Sequence, residues 1–128
     1  MLPVAERDLQ RLLASLAPSC DDVEWVFCTV GEVPGAVEPI VRVVEDEGLT
    51  IVVRRAEADG LALPYDYVAA RITLRVHSAL DAVGLTAAVS SALAEAGISA
   101  NVVAGYFHDH VFVPFPRRAE AMALLGGG

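Results

Sequence analysis

The chain has 128 residues, carries a formal charge of −8 from 17 acidic against 9 basic side chains, and is 55% hydrophobic but only 6% aromatic. Such a length fits one domain or two small modules on a core of Val, Leu, Ile and Ala, and the apolar share excludes a disordered chain. The negative field repels phosphate backbones and anionic membrane surfaces, which argues against nucleic acid or a membrane as partner.

Along the chain, Val4, Leu9, Leu12, Leu13 and Leu16 follow a 3.6-residue period that Pro18 closes, which predicts an amphipathic helix. "MLPVAERDLQ" turns polar too early for a signal peptide, and no apolar run reaches the roughly 20 residues of a membrane span, so the expected location is cytoplasmic. "EWVFCTV" (24–30) is a predicted strand and "GEVPGAVEP" a loop. Cys20 and Cys28 are too far apart for a Cys-x-x-Cys motif and lack companions for a zinc quartet, and Cys28 reads as a reduced core thiol. Two branched runs flanking "EDEG" predict a hairpin of strands 40–44 and 49–55, followed by an irregular connection, "AEADGLALPYDY".

In the second half, "ARITLRVH" alternates Ile72, Leu74 and Val76 against Thr73, Arg75 and His77 as a half-buried strand does. "LTAAVSSALAEAG" places Leu85, Val89, Leu93 and Ala96 on one stripe and ends at Gly97, a suitable helix C′ residue. "ISANVVAGY" and "HVFVPF" are further strands around a short turn, "PRRAEAMALL" is a last helix opened by Pro116, and "GGG" (126–128) a loose tail. The pattern of both halves predicts an α+β fold, a ferredoxin-like sandwich of an antiparallel sheet with helices on one face. The expected modules are residues 1–69, atypical, and 70–125. The second lacks a closing strand, and strand 24–30 is the best candidate to supply it.

"VHSALDAVGLTAAVSSALAEAGISANVVAGY" resembles the ACT-domain pattern, in which a strand runs into an Asp-x-Pro-Gly-x-Leu loop, then a helix, a Gly-Ile turn and a strand with Asn near its start. Asp81, Gly84, Gly97, Ile98 and Asn101 stand where that pattern has them, while Val83 replaces its Pro and Thr86 its common Leu. With the continuation "GYFHDHVFVP", the chain is similar to small two-module bacterial ACT proteins and, more distantly, to the ACT modules of animal arginine sensors. The resemblance implies binding of a small molecule, usually an amino acid, rather than catalysis; no cofactor is expected, and an open sheet edge predicts side-by-side pairing into a homodimer. It points to Asp81, Val83, Gly84, Leu85 and Thr86 in the loop and helix start, Asn101 on the second strand, and Gly105, Tyr106, Phe107 and Asp109 at the hairpin.

Physical chemistry supports the same places. A glycine admits close backbone approach, and amides opening a helix at Leu85 and Thr86 can hold a carboxylate, leaving Asp81 or Asp109 for an ammonium group. Each residue has a plainer alternative: Asp81 as a loop opener, Gly84 as a tight turn, Asn101 bonding backbone. His108 and His110 on one continuous strand would lie about 6.6 Å apart on one face, a spacing two metal ligands can use. Gly105 and Asp109 favour a turn instead, with no metal bound. No Gly-x-Ser-x-Gly, P-loop or dinucleotide fingerprint occurs, and Asp109 is badly placed to orient a neighbouring His, so no catalytic residue is expected. The competing expectation is a protein-interaction module with no small molecule.

Overall fold

The structure, a computed structural model, describes residue 11 and residues 13–76 and 84–126. Its strands are β1 (Pro18–Cys20), β2 (Trp25–Val30), β3 (Val41–Glu45), β4 (Gly48–Arg54), β5 (Val68–Leu74), β6 (Asn101–Ala104) and β7 (Asp109–Pro114). The helices are α1 (Arg55–Gly60), α2 (Leu85–Glu95) and α3 (Arg118–Leu124), with a 3₁₀ turn at Phe115–Arg117. These elements form two compact units, one of Asp22–Ala70 and one that joins the residues up to Asp21 to those from Arg71 onward.

In the Asp22–Ala70 unit the strand order is β3-β4-β2-β5, with every pairing antiparallel. Alternation along β2 and β4 brings Val26 opposite Val53 and Cys28 opposite Ile51. These four side chains form a buried cluster with Val37 and Ala58. Such a unit normally crosses from its first to its second strand through a helix. Here residues 31–40 make that crossing without one, closing on themselves through a bond from the Val37 amide to the Pro34 carbonyl at 3.0 Å. The stretch expected to be irregular opens instead with α1, a six-residue helix in which only Ala58 is buried. One apolar contact is too few to mark a helical period, and the helix start is carried by the Arg54 amide donating to Glu57 Oε1 at 3.4 Å.

The other unit has the order β1-β5-β7-β6. Ile72 and Leu74 on β5, Val111 and Val113 on β7, Val89 and Leu93 on α2, and Ala121 and Leu125 at α3 are all buried. Both units are therefore ferredoxin-like in strand order, as expected, but the second is closed differently. Strand 24–30 lies beside β4 and pairs with β5 only at Trp25↔Ala69 and Val26↔Val68. The fourth strand is β1, paired through Pro18↔Leu74, Ser19↔Thr73 and Cys20↔Ile72. The ladder continues as the Arg75 and Val76 amides donate to the Ala17 and Leu16 carbonyls, both at 3.2 Å. Three residues beginning with proline show no alternation, so this strand leaves no periodic trace in the sequence. The helix expected over residues 4–16 falls largely outside the described residues. Arg11, Leu13 and Ala14 are helical, and the segment ends before Pro18.

Candidate functional site

The end of the second unit where β5 gives way to α2 collects most of the candidate residues. Thr73, next to last in β5, bonds through Oγ1 to Nδ1 of His110, second in β7, at 3.0 Å. The start of β7 thus lies beside the end of β5, and the turn at residues 105–108 that precedes β7 lies at the end of the sheet where the chain leaves for α2. Gly84 sits at the start of α2 with φ 103° and ψ −36°, a left-handed backbone that only glycine adopts without strain. The Gly84 carbonyl accepts the first helical bond from Ala88 at 2.8 Å, while the amides of the first turn have no intrahelical partner.

The candidates divide by position. Leu85 is buried, 7% exposed, so its side chain belongs to the core; Thr86 is exposed. Asp109 alternates with His110 and therefore shares a face with Val111 and Val113, opposite Phe112. Asn101 pairs with Phe112, three residues along β6 from the turn, and faces the opposite side. Asp109 and Asn101 thus face opposite sides of the β6–β7 pair, and Gly84, Leu85 and Thr86 open α2. Asp81, Val83 and His77 lie outside the described residues.

The turn itself is built around Gly105. The Gly105 amide donates to the His108 carbonyl at 2.9 Å, and a Cβ added at 105 would meet that oxygen at 2.7 Å and His110 Nε2 at 3.4 Å. Tyr106 and Phe107 stand in solvent, 73% and 64% exposed, their rings edge to face with centroids 5.0 Å apart. The two histidines do not share a strand: His108 is in the turn, with a buried Nδ1 that has no partner among the described residues, and His110 is in β7. Burial pushes the His110 imidazole below its ordinary value, the Arg71, His108 and Arg75 charges add to this, and Asp109 opposes it. Arg71 is held by Asp21 at 2.9 Å and Arg75 by the Ser19 hydroxyl at 2.9 Å. Thr73, expected to face water, is the buried polar side chain of the described residues, and no sequence signal announced its pairing with His110. No cluster of three or more potential metal ligands occurs among the described residues.

Residues 4–70 match one sequence family described as an ACT domain, and residues 70–126 match a second of the same description. Among solved structures, the chain is similar to a Vibrio cholerae protein of unknown function, named as a possible transport protein. Their identity is 42% and the TM-score 0.85, covering 96% of this chain and 97% of that one. A protein from Agobacterium tumefaciens shares the fold at 19% identity and a TM-score of 0.69, over 82% of this chain and 84% of that one. The regulatory subunit of aspartate kinase from Thermus thermophilus does so at 12% identity and a TM-score of 0.60, over 88% of this chain and 96% of that one. No curated protein matches the chain.

Proposed function

Since the chain belongs to the ACT-domain family, whose members are regulatory ligand-binding modules, we propose that it is a non-catalytic sensor of a free amino acid or close analogue, held at the turn end of the second unit. The observation that supports this reading is the glycine-opened start of α2, whose first-turn amides have no intrahelical partner, with the Asp109 carboxylate at the turn end of β7 as the group to pair with an ammonium. The amides at Leu85 and Thr86 receive the ligand carboxylate, aided by the helix dipole, and Asp109 receives its ammonium. Gly84 keeps a side chain out of the approach to those amides. The protein acts in the cytoplasm as a homodimer in this reading, with Asp81 and Val83 completing the loop. No helix among the described residues is long and apolar enough to cross a membrane.

A thermal-shift screen of the common amino acids tests it. A ligand at about 100 times Kd stabilises the native state by about 2.7 kcal/mol, so one amino acid is expected to raise the Tm by several degrees. Gly84→Val is expected to lose that response; circular dichroism checks the fold, and a loss of fold as well assigns Gly84 to the turn alone. No shift with any amino acid at neutral pH overturns the proposal.

The exposed Tyr106 and Phe107 favour a second reading, a protein-interaction module, because aromatic side chains standing in water are strong interface anchors. Sedimentation of a Tyr106→Ser, Phe107→Ser double variant separates the two. Lost self-association with amino-acid binding intact assigns the pair to assembly alone.

A further inference from the structure

The sheet of the Asp22–Ala70 unit ends at β3, a strand with a neighbour on one side only. Glu45 and Gly48 flank a two-residue turn and stand opposite each other, so they exchange backbone bonds, and Val43 and Val41 likewise point their N–H and C=O groups at β4. Those of Arg42 and Val44 point the other way, where the strand order places nothing. Four of the five residues of β3 are exposed, Val44 at 88% and Val43 at 47%. The outer strands of the other unit, β1 and β6, are shorter, and neither stands a large apolar side chain in water. An exposed apolar edge of this kind is one that folded proteins cover or pair.

The side chains decide what fits there. An apolar row crosses the unit, with Val30 opposite Leu49 and Leu49 opposite Val44. Val30 and Leu49 pack against the buried cluster, whereas Val44 ends the row in water. Two residues to one side of Val44 lies Arg42, and two residues to the other side Asp46 begins the turn; both are exposed and have no hydrogen bond or ion pair among the described residues. When two copies of one strand pair antiparallel, opposite side chains must share a face, so the two-fold axis passes through a residue that meets itself. An axis at Arg42 sets two guanidinium groups together, and an axis at Val43 sets Arg42 against Val44. An axis at Val44 joins two apolar rows and brings Arg42 of each copy opposite Asp46 of the other.

We propose that β3 pairs antiparallel with β3 of a second copy of this chain, in the register centred on Val44. The two Val44 residues exchange N–H to C=O bonds, the rows of Val30, Leu49 and Val44 from both copies meet end to end, and Arg42, which by itself would blunt the edge, is matched twice by Asp46. The formal charge of −8 opposes association at long range, but at about 0.15 M salt the Debye length is about 8 Å and the pairs at the contact outweigh it. The proposal rests on the homodimer of the sensor reading and assigns its face; amino-acid binding at α2 takes no part in it.

Sedimentation equilibrium of the full chain at about 0.15 M salt provides the test. The expected result is a monomer–dimer equilibrium with a Kd on the order of 100 μM, as suits a small interface. Val44→Lys, at an exposed position, is expected to weaken it at least about tenfold, Arg42→Asp about fivefold, and Arg42→Asp combined with Asp46→Arg to restore it. The register is read by cross-linking with oxidised glutathione in a Cys20→Ser background: Val44→Cys should join two copies, whereas Val43→Cys, opposite Glu45 of the second copy, should not. A monomer at all concentrations, a dimer unchanged in Val44→Lys, no recovery in the charge-exchanged double variant, or equal cross-linking at Val43 overturns the proposal. The thermal-shift response to amino acids, measured on Val44→Lys, reports the α2 site separately, so failure of this contact and failure of the sensor reading are told apart.

Discussion

Replacing Gly105 by alanine isolates the geometry of the β6–β7 turn from any ligand. The new methyl group would sit 2.7 Å from the His108 carbonyl oxygen and 3.4 Å from His110 Nε2. The first of these is a backbone atom and cannot rotate away, so the turn must open by several tenths of an ångström, which strains the Gly105–His108 hydrogen bond and pushes on the ring that Thr73 holds. Overpacking of this kind costs about 1–3 kcal/mol. The alanine also restricts the unfolded chain, which returns about 0.4–1 kcal/mol. The net loss is about 1–2 kcal/mol, and at about 4 °C per kcal/mol for a chain of this size the Tm falls by roughly 4–8 °C. Urea denaturation measures the free energy and differential scanning fluorimetry the Tm. Gly31→Ala is the control: a Cβ there meets nothing within 4 Å, and its stability should stay within about 0.5 kcal/mol of the parent. A Gly105→Ala protein as stable as the Gly31→Ala control would refute the reasoning.

Other measurements probe different contacts. Arg117 donates to the Gly97 and Ala96 carbonyls at 2.9 and 3.0 Å, capping the C-terminal end of α2, so Arg117→Ala should lose about 1 kcal/mol in urea denaturation. Because the folded His110 imidazole is held below its ordinary value, the native state binds fewer protons there than the unfolded chain. Its contribution is full above about pH 6.5 and is lost as the pH falls from there through the folded value. Denaturation midpoints across that range should show this slope in the parent and a flatter profile in His110→Gln. The Cys28 thiol is buried and pushed up by that burial, so it should react with a thiol reagent far more slowly than the partly exposed Cys20.

Much of this architecture was legible because its strands alternate. Ile72 and Leu74 announce a buried face through period-two spacing, though Thr73 between them is buried as well, and Gly97 ends α2 where the apolar stripe stops. What escaped did so for local reasons. β1 is too short to alternate, and α1 buries one residue, so neither carries a period. Of the site, the glycines were legible and their meanings only in part. Gly84 does adopt a left-handed backbone at a helix start, and at Gly105 a side chain would meet the carbonyl of its own turn. The Thr73–His110 bond joins strands 37 residues apart, and no spacing rule reaches that far.

The closure of the second sheet by β1 bears on how the chain reaches its native state. β1 and β5 meet across the whole of residues 22–70, so the Asp22–Ala70 unit is topologically an insertion between two adjacent strands of another unit, and its two ends are clasped by Arg71 and Asp21 at 2.9 Å. The inserted unit contains its own strand pairs and can form early, turning a long and costly loop closure into a short one that carries β1 to its place beside β5. Order of synthesis gives no such help, since β1 emerges first and must wait for the strand it pairs with. A protein in which residues 22–70 are cut out and residue 21 is joined to residue 71 by a short Gly-Ser linker should therefore still close its sheet. A circular permutant opened between 21 and 22 should instead fold more slowly, because it loses the early-formed bridge that holds its first and fourth strands together.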